Sequence, residues 1–300
     1  MVKDDIPVGI LSREDILRAR VYRDDRRQSP ALALDLDGTL TNSRKEVTPR
    51  VRDAVRRTAL AGVHVILASG RPVVGMAHVA DGLGLDEVGG YVLANNGSKI
   101  IEWRSKETVF EATLPRKAVE EACAAARAFG VAALAYDENG LFSEDPAAPY
   151  VERERFNNSA SATKVDDLAA AVTWDPNKAM VVGEPDALRP ALEHLSKRLS
   201  GIADVFLSEP YFIEVTPLGI RKDAALGVLA DQLGFGLDEL MACGDGLNDI
   251  PMLACAGLAV AMDNAYPETK AHADWIAPSN EEDGVAAAVD RFVFGGRACC

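Results

Sequence analysis

Residues Ala31 to Leu40 read ALALDLDGTL, and this decapeptide decides the fold. Small and apolar side chains fill its first four positions and Leu36, as in a strand hidden on both faces of a sheet. Asp35 and Asp37 stand at its end. An extended chain sends residues two apart to the same side, so both carboxylates converge on one point, and Gly38 lets the chain turn away sharply. Two acids crowded at a strand end repel each other unless a divalent cation or a shared proton compensates. Taken alone, the decapeptide supports two readings, a chemical site or an ordinary Asp-Gly turn.

The chain around it has 300 residues, 48% hydrophobic and 26% charged, the composition of a globular protein with one large or two medium domains. Lys and Arg total 32 against 46 for Asp and Glu, a formal net charge of -14. A phosphate backbone would meet net repulsion, so nucleic acid is not an expected partner. No apolar run reaches the length of a membrane span, and no apolar stretch near the N-terminus precedes a small-residue cleavage site. A cytoplasmic protein with no membrane partner is expected, its oligomeric state left open. Cys123, Cys243 and Cys255 fall in Ala-rich or apolar segments and read as buried thiols, while Cys299 and Cys300 end the sequence. Their spacing matches neither a zinc site nor a disulfide framework.

Residues 1–30 read as a polar extension in which Ser12 and Asp15 fit a capping box for a helix. After the first strand, Thr48-Pro49 predicts a helix start and Gly62 its stop. A second strand, Val63 to Ala68, runs into Ser69-Gly70-Arg71-Pro72, where a hydroxyl and the amides of a helix start can bind phosphate; the same tetrapeptide is also good turn chemistry. A third strand, Tyr91 to Ala94, ends at Asn95-Asn96-Gly97, a polar turn suited to a hairpin.

From residue 98 to about 215 the texture changes. KIIEW and ETVFEA read as a hairpin, an Ala-rich helix spans Pro115 to Phe129, a second hairpin centres on Asn139-Gly140, and strands KAMVV, DVFLS and YFIEV follow. This mixture predicts an α+β insert with an antiparallel sheet. The outer texture then resumes, with Lys222 at a helix start, where a cation is disfavoured unless an anion lies nearby. LMACGDGLNDIPML, Leu240 to Leu253, delivers Asp245, Asn248 and Asp249 to another strand end. Strands alternating with helices at both ends of the chain imply a parallel sheet, and such sheets bind ligands outside the carboxyl ends of their strands. The inventory there suits phosphoryl transfer: acids for a hard cation, cations and a hydroxyl for phosphate, and a carboxylate free to attack.

The order Asp-Leu-Asp-Gly-Thr, then Ser, then Lys, then Gly-Asp-Gly-Leu-Asn-Asp resembles the haloacid dehalogenase superfamily of phosphatases, in particular the Cof-like subfamily with its cap inserted between the second and third motifs. The resemblance covers roughly residues 31–294, and AMDNA from Ala261 and NEEDGV from Asn280 look like that subfamily's closing patterns. Asp223 and Asp263 stand where many relatives carry Gly. The resemblance implies an α/β fold, a Rossmann-like parallel core (residues 31–97 and 216–300) with helices on both faces, plus an inserted α+β cap (98–215). It further implies Asp35 as nucleophile, forming an aspartyl-phosphate, and Asp37 as general acid and then base. Mg²⁺ would be held by Asp35, the backbone carbonyl of Asp37 and Asp245, with Asp249 assisting. Ser69, Gly70 and Lys222 would hold the phosphoryl group, Thr39 would orient the first loop, and Asn248 would position Lys222 or the phosphate. Arg71 and Asn96 would touch the substrate, a small phosphorylated metabolite such as a sugar phosphate. Tyr136, Glu138, Tyr150, Arg153 and Arg155 are candidate cap contacts. A phosphomutase would share these residues, and a non-catalytic regulator would be expected to have lost an acid.

Overall fold

The computed structural model describes residues 30–295, so the helix expected around Ser12 and Asp15 and the Cys299-Cys300 pair lie outside the described residues. Two sheets organise the chain. The first has eight strands: β1 (Ala31–Leu34), β2 (His64–Ala68), β3 (Tyr91–Ala94), β4 (Lys99–Glu102), β5 (Thr108–Glu111), β12 (Leu240–Gly244), β13 (Leu258–Met262) and β14 (Trp275–Ala277), ordered β14-β13-β12-β1-β2-β3-β4-β5. From β14 through β3 every pairing is parallel, and β4 and β5 complete the edge antiparallel. β1 lies at the middle, paired with β2 on one side and β12 on the other, and its four residues have no exposed surface.

The alternation of Ala and Leu in β1 sorts two helical layers. Leu32 and Leu34 pack with α1 (Pro49–Leu60), α2 (Val73–Gly82) and α8 (Gly284–Phe292). Ala31 and Ala33 face the other way, toward α6 (Lys222–Leu233) and α7 (Ile250–Cys255). Period-two side-chain direction makes each strand residue serve one layer only. Thr48 caps α1 by accepting from the Val51 amide at 3.2 Å, with Pro49 in the first turn as its motif predicts.

The second sheet has six strands: β6 (Ala132–Tyr136), β7 (Gly140–Ser143), β8 (Ser161–Lys164), β9 (Ala179–Val182), β10 (Ala203–Glu209) and β11 (Phe212–Pro217). Their order is β10-β11-β9-β6-β7-β8, antiparallel throughout except for the parallel β7–β8 pair. Helices α3 (Arg116–Phe129) and α5 (Pro185–Arg198) cover one face, and α4 (Pro149–Asn157) contributes Val151 to the cluster on the other.

One boundary differs from the sequence reading. The KIIEW and ETVFEA strands do form a hairpin, but β4 also hydrogen-bonds to β3 through Asn95-Asn96-Gly97. The hairpin therefore widens the first sheet, and the second sheet's strands begin only at Ala132. Cys123 and Cys243 are buried as expected, whereas Cys255, at the end of α7, is half-buried. Among the described residues no helix is long and apolar enough to cross a membrane.

Candidate active site

The carboxyl ends of β1, β2, β3 and β12 bring the motif residues to one place. β1 pairing runs on to Asp35, whose amide donates to the Cys243 carbonyl at 3.0 Å. Lys222 enters from the first turn of α6 and donates to Asp35 Oδ1 and to Asp249 Oδ1, each at 2.6 Å. All three side chains are buried, Lys222 at 1% exposure and Asp249 at 0%. Asp249 is fixed from behind, because its Oδ2 accepts from the amides of Asp245 at 3.0 Å and Gly246 at 2.9 Å. The anions that a lysine at a helix start requires are thus two aspartates of the chain itself.

Asp245 completes a cluster in which Asp35, Asp245 and Asp249 each offer a carboxylate oxygen within 4.8 Å of the others. Burial raises the Asp35 carboxyl well above its usual range and Asp249 adds repulsion, which Lys222 offsets in part. Burial likewise pushes Asp245 up to about 6, against the hydrogen bond that Thr39 Oγ1 donates to it at 2.8 Å. Burial opposes the charge of Lys222, yet Asp249 and Asp35 outweigh it and hold the ammonium charged. An all-oxygen, charge-crowded donor set of this kind fits a hard divalent cation. Gly38 is required beside it: its φ is +81°, and a Cβ there would collide with the Asp245 carboxylate.

Asp37 stands apart from that cluster. Arg71 grips its carboxylate with both Nε and Nη2 at 2.7 Å, and Lys45 adds a third contact at 2.6 Å. Burial would raise the Asp37 carboxyl, but these cations hold it below the usual carboxylate range. As placed, Asp37 is held as the anion by these cations and has no proton to give. Its side chain is not part of the Asp35, Asp245 and Asp249 cluster.

Ser69 is buried at the end of β2, and its Oγ accepts from the Arg71 amide at 3.2 Å. Gly70 serves by having no side chain, since a Cβ there would press on the Asn96 amide. Asn96 Oδ1 accepts a hydrogen bond from Asn248 Nδ2 at 3.2 Å, and Asn96 Nδ2 donates to Glu214 Oε2 at 3.4 Å. Asn248 therefore meets Asn96, with no hydrogen bond to Lys222 among the described residues.

Of the five candidate contacts on the second sheet's side, only Tyr136 reaches this region, donating to Glu154 Oε1 at 2.7 Å. Glu138 is exposed beside Lys99, Arg153 lies over the Tyr211 ring on which Tyr150 stacks, and Arg155 pairs with Glu152. Sequence reading missed Lys178, Glu154, Glu214 and Asn158, all buried where the two sheets meet. A signal existed for two of them. Glu214 interrupts the apolar run YFIEV and Lys178 precedes AMVV, and a charge inside a buried strand needs a partner.

A profile of the haloacid dehalogenase-like hydrolases matches residues 32–289. The chain is 30% identical over 270 residues to the 5-amino-6-(5-phospho-D-ribitylamino)uracil phosphatase YcsE of Bacillus subtilis, covering 87% of this chain and 95% of that protein. It is also 30% identical over 261 residues to a phosphoglycolate phosphatase of Methanoculleus marisnigri, covering 87% of this chain and 95% of the other. A crystal structure of a haloacid dehalogenase-like hydrolase from Bacteroides thetaiotaomicron superposes with a TM-score of 0.84 at 41% identity, covering 87% of this chain and 98% of that one.

Proposed function

The chain belongs to the haloacid dehalogenase-like hydrolases, as a Cof-like phosphatase acting on phosphoric monoesters, and from that premise we propose a Mg²⁺-dependent hydrolysis of a small phosphorylated metabolite through an aspartyl-phosphate on Asp35. The observation that carries it is Asp35 itself, at the end of the central strand, with Lys222 at 2.6 Å and two further acids beside it. Asp35 attacks phosphorus as the bond to the leaving oxygen breaks, and Lys222 and Ser69 hold the phosphoryl oxygens. Asp37 gives a proton to the leaving alcohol. A water then surrenders its proton to Asp37 and attacks the acyl phosphate, releasing inorganic phosphate and restoring both acids. Asp35, Asp245 and the Asp37 carbonyl, with Asp249 behind them, would hold Mg²⁺, which when bound offsets the charge of the phosphate and of the crowded carboxylates.

Asp37 can donate only after it acquires a proton. Arg71 and Lys45 both bear on this step: a substrate that draws these cations away lets the Asp37 carboxyl rise toward its ordinary range and take up a proton more readily. The unit built on the second sheet acts as the cap, excluding bulk water while the acyl phosphate exists.

Hydrolysis of para-nitrophenyl phosphate, with Mg²⁺ or with a chelator, tests the reading. Release by the parent requires the metal, and Asp35→Asn lowers it by at least about a thousandfold. The variant keeps its fold. A carboxyl whose pKa is raised on folding contributes stability when protonated and loses it as pH rises through the folded value, and Asn imitates the protonated form. At neutral pH the melting temperature of Asp35→Asn is therefore no lower than the parent's. A folded, metal-supplied parent that releases phosphate from neither this ester nor a panel of phosphorylated metabolites would overturn the proposal.

A further inference from the structure

The turn that follows β2 is held from behind at three successive carbonyls. The Asn96 amide donates to the Ser69 carbonyl and the Asn95 amide to the Arg71 carbonyl, each at 2.9 Å. Both asparagines have a left-handed backbone, with φ of +50° at Asn95 and +56° at Asn96, a conformation that Asn tolerates better than most residues. The carbonyl between those two, that of Gly70, has no backbone donor among the described residues. Its donor is Lys178 Nζ at 3.1 Å, which reaches back across 108 positions from the start of β9.

Lys178 is 2% exposed, and the Gly70 carbonyl is its single hydrogen-bond partner among the described residues, although an ammonium has three protons to give. The Glu154 and Glu214 oxygens stand 3.8 and 3.9 Å from it, offsetting its charge without hydrogen-bonding. Gly70 has no Cβ to restrain its peptide, so the restraint has to come from outside the turn. A trans peptide points its carbonyl and its N–H in opposite directions, and a donor on one sets the aim of the other. With the Gly70 carbonyl drawn to Lys178, the Arg71 amide faces the other way and donates to Ser69 Oγ at 3.2 Å. That bond occupies a lone pair of Oγ and leaves the hydroxyl proton free to be given. Among the described residues nothing else receives it.

We propose that Lys178 is a positioning residue for the phosphoryl-binding turn: through the Gly70–Arg71 peptide it aims the Ser69 hydroxyl. The inference rests on the phosphatase reading, in which Ser69 holds a phosphoryl oxygen, and makes that grip depend on a residue of the second sheet. Lys178 acts on the protein backbone, so its effect is felt by the phosphoryl group whatever alcohol is attached. Ser69 stands at the end of a first-sheet strand and Lys178 at the start of a second-sheet strand. Separation of the sheets withdraws the ammonium from the Gly70 carbonyl and frees the peptide to rotate, and docking restores the aim of the hydroxyl.

Inorganic phosphate, which carries no leaving group, is the probe, titrated calorimetrically with Mg²⁺ present. Lys178→Met alone leaves two buried carboxylates without their cation, so it is paired with Glu154→Gln, which restores the net charge of the cluster. The paired variant binds phosphate about tenfold more weakly than the parent. Ser69→Ala also weakens binding, and adding the paired change in that background costs no more than about twofold further, because the hydroxyl that Lys178 aims is gone. Losses that multiply across the two backgrounds, as a merely structural Lys178 gives, overturn the proposal. So do an equal loss from Glu154→Gln alone, an unchanged affinity in the paired variant, and a parent that binds no phosphate. Turnover is scored separately. A parent that shows this binding pattern yet hydrolyses no ester refutes the phosphatase reading and leaves the positioning role standing, whereas hydrolysis accompanied by multiplying losses does the reverse.

Discussion

Arg71 and Asp37 show how a side chain can be right for a reaction and still in the wrong protonation state. The two bonds of 2.7 Å from Arg71 stabilise the anion, so the free protein carries Asp37 deprotonated well into the acid range. If the reaction needs the protonated form, the alkaline limb of the kcat/KM profile reports this carboxyl and is displaced to low pH. Arg71→Ala removes the largest stabilising partner, raises the pKa and moves that limb to higher pH, while KM rises through the lost substrate contact. A pH profile on para-nitrophenyl phosphate measures both, and a limb that stays in place would detach Asp37 from the proton step. Residue identities at this end of the sheet were legible from local pattern: Asp35, Ser69 and Asp245 follow apolar runs, and Lys222 stands at a helix start where a cation is out of place. Partnership was not legible. No spacing says that Arg71 reaches back across 34 positions to Asp37, or that Asn248 meets Asn96.

Helix α6 brings Lys222 to its post, and a glycine outside the helix sets where it starts. Gly97 has a φ of +108°, and a Cβ there would stand 2.7 Å from Ala225 Cβ and 2.9 Å from the Arg221 carbonyl. Those two residues bracket Lys222 on the first turn of α6. Gly97→Ala therefore costs about 1–3 kcal/mol in strain and crowding. It also tilts the helix start, so kcat falls more than KM changes. Urea unfolding and steady-state kinetics on the same preparation check both, and an unperturbed kcat would show that Lys222 does not depend on this contact. Elements were largely readable from pattern: the Thr48-Pro49 start, the Pro115 to Phe129 helix and both hairpins appear where turn and period signals put them. What pattern does not encode is which sheet a hairpin joins. Alternation fixes a strand's two faces, whereas its neighbour is chosen by the turn at Asn95-Asn96-Gly97 and by the edge left open at β3.

At the scale of the whole molecule, the proposed cap role makes the meeting of the two sheets, where Lys178, Glu214 and Asn158 are buried, the gate expected to open for substrate and product. With Mg²⁺ and inorganic phosphate present, amide exchange slows in Pro149–Asn157 and Phe212–Pro217 relative to the protein in chelator. Exchange unaltered at both segments, with phosphate bound, would mean that the cap does not respond to the ligand.

The position of β1 between β2 and β12 also bears on how the chain comes to fold. The partner on one side follows within about thirty residues, while the other begins at Leu240, some two hundred residues away. During synthesis the strand that leads to Asp35 thus emerges first among the described strands and is enclosed only when β12 follows. The six strands of the second sheet, contiguous between Ala132 and Pro217, can pair in the interval. A nascent chain ending before Leu240 has neither Asp245 nor Asp249. It displays β1 with an unpaired edge, so catalytic competence and protection from edge-to-edge aggregation arrive together, with the same late strand.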